Sequence, residues 1–538
     1  MKKSFIAPAS FLLLLTASAN AQNVGIGTAS PIGKLHIKGD SDTSQVLIDA
    51  NTTQGKIPVI RIRSAAGNDL LRLHADTSFN LFLGLSAGAN NSPGSGSGLF
   101  NTFLGSNAGV ANTTGSNNTA IGRTTLFNNA TASDNTAIGF RSLFNNSAPF
   151  NTAVGSRALE DNGEGQFNTA VGAQALHHNQ KTNGNTAVGY QALSTQSFAD
   201  PNSLYSTLNT AVGFLALSKN NPNNINNGKN NTGIGGLALY MNTVGYNNTA
   251  VGAQALTANS SGFQNTAVGA QALLSNGTGS FNSAFGNDAF KLNTSGHYNT
   301  ALGHSALFSS INGSYNVAVG SLSLTSLTTG SGNTAVGDYA LVNVTTGNDN
   351  VAIGQASGTD PALPGISNTV SIGNHGWMNG ASNQVFLGNN LTAWIGGWKG
   401  WSIYSDGRIK TDVNEDVKGL DFINRLRPVT YLTSHETAMT LTGNTNKSAI
   451  NAAPFPKTRQ SGFIAQEVES AAIESGYDFD GVQRPATERG LYSMNYAGMV
   501  VPLVKAVQEQ QQIIADKQQQ IDALKARLDR LEKMLVKQ

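Results

Sequence analysis

The phrase Asn-Thr-Ala-Val-Gly and its close variants recur sixteen times through the middle of the chain. The closing glycine falls first at Gly84 and last at Gly354, and most successive glycines lie 17 residues apart. A unit this short cannot build a core of its own, so a fixed period of this length predicts a solenoid. Each coil then buries its face only against its neighbours. The longer steps, such as Gly189 to Gly213, read as loop insertions.

Within each unit the pattern is that of a short β-strand. The residue before the glycine is apolar, as at Ile121, Val171, Val188, Phe285 and Leu302, and two positions earlier stands Thr or, at Val317 and Val351, Val. Alternate residues of a strand share a face, so these two are expected inside and the Ala between them outside. Four residues after the glycine, thirteen units carry Leu or Phe (Leu126 through Leu341), which reads as a second inward anchor. In the first two units and the last that place is Gly88, Gly109 and Gly358, as expected of atypical capping units. A coil of this length has room for two short strands and two tight turns, with Asn and Gly making the turns. Asn repeated coil on coil is expected to form side-chain ladders.

The phrase N-T/V-A-V/I-G-x-x-A-L resembles the head repeats of YadA-type trimeric adhesins, although the 17-residue period exceeds the usual adhesin repeat. The resemblance implies a trimeric parallel β-roll. Before the array, residues 22–79 hold short alternating runs ("KLHI", "VIRIRS", "LLRLHA") that read as a β stalk or cap. Residues 1–21 combine Lys2 and Lys3, an apolar run from Phe11 to Leu15 and Ala19-Asn20-Ala21. That is the build of a secretory signal peptide, so a secreted or cell-surface location is expected. No later segment reads as a membrane-spanning helix. With 12% charged residues and a net charge of +2, nothing favours nucleic acid as a partner. No cysteine is present, which excludes thiolate metal sites and a catalytic thiol; no cofactor or metal is expected. The histidines are scattered, and His177-His178 is the one adjacent pair.

After a β transition segment, 359–404, with Trp394, Trp398 and Trp401 near its end, an ordinary charged sequence begins. The tryptophans fit packing at a domain junction better than a sugar platform. "LDFINRLRPVTYL" reads as a short helix and then a strand, and "SGFIAQEVESA" as a strand running into a helix. From Val500 a heptad series (Val500, Val507, Ile514, Ile521, Leu528, Leu535) predicts a coiled coil over 500–538. Together "SDGRIK", "INRLRPVTY", "GFIAQEV" and "YAGMVVPLVKAVQEQ" resemble the intramolecular chaperone domain of endosialidase and other phage tailspikes. The resemblance implies a module over 405–499 that trimerises the fibre before it and then releases itself by autoproteolysis. It gives Ser405 as nucleophile, Lys410 as base and Tyr404–Ser405 as the scissile bond.

The expectation is a mainly β chain: a trimeric β-solenoid over 80–358 with an α+β chaperone domain ending in a coiled coil. Its function is that of a secreted structural or adhesive fibre with a cell-surface or polysaccharide receptor. The competing reading is a tailspike-like protein that binds or degrades polysaccharide. It is disfavoured as an enzyme because the few acidic residues of the array form no recurring carboxylate pair.

Overall fold

The structure, a computed structural model, describes residues 24–26, 35–37, 60–196, 205–389, 402–441, 459–485 and 490–537, apart from 65, 75, 376 and 377, together with 392, 395 and 396. Residues 1–21 and the three tryptophans lie outside the described residues. The chain divides into two units, Met1–Asp134 and Asn135–Gln538.

In the first unit, strand Ile60–Arg63 pairs antiparallel with Asp69–His74, which pairs antiparallel with Leu81–Leu83. From there the pairing turns parallel, through Thr102–Leu104 to Thr119–Ile121. Asp69 accepts from Arg61, Arg63 and Arg72, and the Arg61 guanidinium above all holds its carboxyl far below the usual range. In the second unit one three-residue strand per coil stacks in register with the next, Thr249 on Thr266 and Val251 on Val268. This parallel ladder runs from Thr136–Ile138 to Val385–Leu387.

The orientation of these strands is the reverse of the expectation. The central Ala is fully buried (Ala153, Ala170, Ala267), while the flanking Thr and Val or Ile face outward. The reason is the width of the lumen. A typical coil already contains a buried Leu four residues after the glycine and a buried Ala before it, such as Leu273 and Ala272, plus two buried Asn. Only a methyl group fits opposite. The first two coils exchange these volumes. Phe82 and Phe103 take the Ala place and stack at 5.1 Å, and a Cβ on Gly88 or Gly109 would lie within 3.0 Å of those rings. There the glycine answers a packing need.

The expected Asn ladders are present. The backbone N–H of Asn282 donates to Asn265 Oδ1 at 3.0 Å, and Asn282 Nδ2 donates to the Gly296 carbonyl at 2.8 Å. A second column passes Nδ2 to Oδ1 from Asn293 to Asn276 to Asn259, at 2.6 and 2.7 Å. Buried amides are costly unless paired, and here each coil pairs the next. The second column gives way to Ser310, Leu327 and Val344, all buried.

The second strand expected in every coil forms only in a few, as at Asn145–Asn146 with Asp161–Gly163. In a typical coil Gln271 and Leu273 both take left-handed φ, 58° and 51°, which interrupts any extended run. Gly233 occupies the inward Ala place of its coil without a left-handed φ, and an added Cβ would meet Ala238 O at 3.3 Å and Leu217 at 3.4 Å. Neighbouring coils accept Ala in the equivalent place. Gly233→Ala is therefore expected to stabilise the protein by about 0.4–1 kcal/mol, through the unfolded chain, as read by the denaturation midpoint.

The C-terminal module has a small core of its own. Phe422, Val468, Ala471 and Ala472 are buried, with Tyr477, Phe479 and Met494 packed against them. Helix Leu420–Ile423 leads to strand Val429–Tyr431, which pairs antiparallel with Gln460–Gly462, and helix Ala465–Glu474 follows. The last helix, Val500–Leu535, is 36 residues long. Its first turns dock through buried Pro502 and Ala506, and Glu509 Oε2 accepts from the Leu420 N–H at 2.7 Å.

Candidate functional site

Ser405 and Lys410 are brought together by one turn. Asp406 caps the short 3₁₀ segment Gly407–Ile409, accepting from the Arg408 N–H at 2.9 Å. The Arg408 side chain lies on the same carboxylate, and that guanidinium holds the Asp406 carboxyl below its ordinary range. The turn fixes the entry and exit of the chain so that Lys410 Nζ sits 2.8 Å from Ser405 Oγ. The distance suits proton transfer between hydroxyl and amine.

The surroundings are open. Tyr404 is 95% exposed and Ile403 84% exposed, and Ile409 and Val413 are also uncovered. Among the described residues no core covers the pair or the bond before it: every described residue from 402 to 416 is exposed. A lysine acts as a base only when stripped of water, or set beside another cation, so that its neutral form is populated. Serine and lysine are thus placed for chemistry, while the described residues of the single chain supply no shell that would desolvate them.

Asp406 was not singled out by sequence, although the Asp-Gly pair beside Ser405 is an ordinary turn signal. Among the described residues no group of His, Asp or Glu is arranged to hold a metal ion. None of the described helices is long and apolar enough to cross a membrane.

The long helix shows the same incompleteness. Val507, Ile514, Ile521, Leu528 and Leu535, all predicted at one heptad position, are exposed, as are Leu524 and Leu531. No described residue after Gln510 is covered by its own domain.

No curated protein and no solved structure matches the chain. One family model does match, described as the chaperone of endosialidase, over residues 405–477. The match begins at Ser405 and spans the Ser405–Lys410 pair, the buried residues Phe422, Val468, Ala471 and Ala472 and the helix Ala465–Glu474. A β-solenoid followed by a segment similar to the endosialidase chaperone fits a trimeric tail-fibre-like protein.

Proposed function

We propose that the chain is an extracellular homotrimeric fibre, structural or adhesive, whose C-terminal module assembles the trimer and then cuts the chain once at Tyr404–Ser405. The observation that carries this reading is the 2.8 Å contact between Lys410 Nζ and Ser405 Oγ at the first residue of the matched segment. In the reaction, neutral Lys410 takes the hydroxyl proton as Oγ attacks the Tyr404 carbonyl carbon. The C–N bond breaks, the proton passes to the Ser405 amine, and water hydrolyses the ester. Tyr404 then ends one fragment as a carboxylate and Ser405 begins the other.

Two exposed apolar surfaces support association of like chains. One is the outward column of the solenoid, including Val171, Ile234, Phe285, Leu302 and Ile353. The other is the heptad stripe of the last helix. Secretion rests on the character of residues 1–21.

Expression of residues 22–538 beside Ser405→Ala and Lys410→Ala tests the reading on denaturing gels with N-terminal sequencing. Only the unsubstituted chain is expected to yield a fragment beginning at Ser405. Three intact chains that still form trimers would make the module a retained clamp with no cleavage role.

A further inference from the structure

Charge in the array is densest in three consecutive coils between Gly139 and Gly189. There it carries three cations, Arg141, Arg157 and Lys181, three anions, Glu160, Asp161 and Glu164, and the pair His177-His178. These residues stand at matching places on successive coils, so the register stacks them. Glu160 lies beneath, 6% exposed, with Arg141 Nε at 2.6 Å, His177 Nε2 at 2.9 Å and Arg157 Nε at 3.6 Å. Above it Asp161 accepts from Asn145 Nδ2 at 2.7 Å and meets His178 Nδ1 at 3.0 Å. Glu164 faces Lys181 at 3.5 Å.

Beside this layer lies an open surface depression of about 350 Å³ lined by Asn145, Asp161, Gly163, Glu164, Gln180 and Lys181. Here the coils carry additional paired strands, Asn145–Asn146 and Asp161–Gly163, whose register shifts between Asp161 and Gly163. Gly163, with φ 53°, cannot carry a side chain, because a Cβ would sit 2.4 Å from the Gln180 carbonyl oxygen. Three residues beyond Glu164, within about 10 Å along the chain, is Phe167. It stacks on Phe150 with centroids 5.2 Å apart, and the two rings are 59% and 50% exposed.

We propose that these coils form a binding site for a neutral, hydroxyl-rich saccharide. The lining holds two carboxylates, Asp161 and Glu164, against one ammonium, Lys181, which disfavours an anionic ligand and leaves carboxylate, amide and ammonium groups as hydrogen-bond partners for hydroxyls. A phosphate would need surplus cations, whereas Arg141 and Arg157 are taken by Glu160. A divalent cation would need grouped ligands, and none are grouped among the described residues. The exposed Phe pair offers an apolar surface for the C–H face of a sugar ring. The site is contained within one chain and depends on neither trimer nor cleavage.

Calorimetric titration of residues 22–538 with cellotetraose, maltotetraose, mannotetraose and chitotetraose tests the proposal, with tetragalacturonate and inorganic phosphate as charged probes. At least one neutral tetrasaccharide is expected to bind. Glu164→Ala with Gln180→Ala, and separately Phe167→Ala, are expected to weaken it about tenfold or more with the melting temperature unchanged. Absence of binding by every neutral probe overturns the site. So does binding that the variants leave intact, or binding confined to the charged probes.

Discussion

Two adjacent glycines are expected to give opposite results. Gly235→Ala should disrupt the solenoid locally, while Gly236→Ala should be silent. Gly235 closes its repeat phrase at φ 133°, in a band of 116–140° shared by all sixteen closing glycines and closed to residues with a Cβ. An added Cβ would lie 2.4 Å from the Gly252 carbonyl oxygen and 2.6 Å from its carbon. Those atoms cannot retreat, because the Gly252 N–H donates to the Ile234 carbonyl at 2.8 Å and so ties the two coils together. Backbone strain and overpacking together cost roughly 2–6 kcal/mol. At Gly236 a Cβ meets nothing within 4 Å, and the next coils carry Ala253 and Ala270 there. A change within about 0.5 kcal/mol is expected. Because a solenoid is held by nearest-neighbour terms, the cost should appear locally. Hydrogen exchange at Thr232–Ile234 and Thr249–Val251 should lose at least about thirtyfold of its protection in Gly235→Ala alone. Equal exchange in the two variants would contradict this account of the closing glycine.

Those glycines were visible in the sequence because the period displays them, and so were the Leu anchors and the Asn ladders. The direction of the strands was not. Alternation shows that Thr and Val share one side and Ala the other, yet which side is the core depends on what else fills the lumen. Leu273 and the paired Asn residues come from other parts of the coil and leave room for Ala267 only. The exchange of Phe82 for Ala and Gly88 for Leu follows the same volume rule, and it becomes plain once the two places are known to touch. At the C-terminus the short helix, the two strands and the helix Ala465–Glu474 fell where their patterns put them, since each is local. Ser405 and Lys410 were legible only with their flanking phrases. Asp406, which shapes their turn, is marked in the sequence only by its Asp-Gly pair, an ordinary turn signal. The charged coils read as scattered because Asp161 and His178 are 17 residues apart, and only overlaying coil on coil brings them together.

The exposed last helix carries the other large effect. Ending the chain at Gln510 should leave the chaperone core folded, abolish trimers and stop cleavage at Tyr404–Ser405. The core should survive because Phe422, Val468, Ala471 and Ala472 pack with residues before Val500, and the docking residues Pro502, Ala506 and Glu509 are retained. The residues removed include Ile514, Ile521, Leu524, Leu528 and Leu531, whose exposed stripe is what a coiled coil would bury. Cleavage should stop with assembly if partner copies supply the cover that Ile403, Tyr404, Ile409 and Val413 lack in one chain. Without that cover the lysine stays hydrated and cannot accept the serine proton. Multi-angle light scattering should report monomers for the shortened chain, and gels should show it uncut over a period in which the full chain is processed completely. A shortened chain that remains monomeric and still yields the Ser405 fragment would mean that the turn from Asp406 to Lys410 suffices. Assembly would then have no part in licensing the cut.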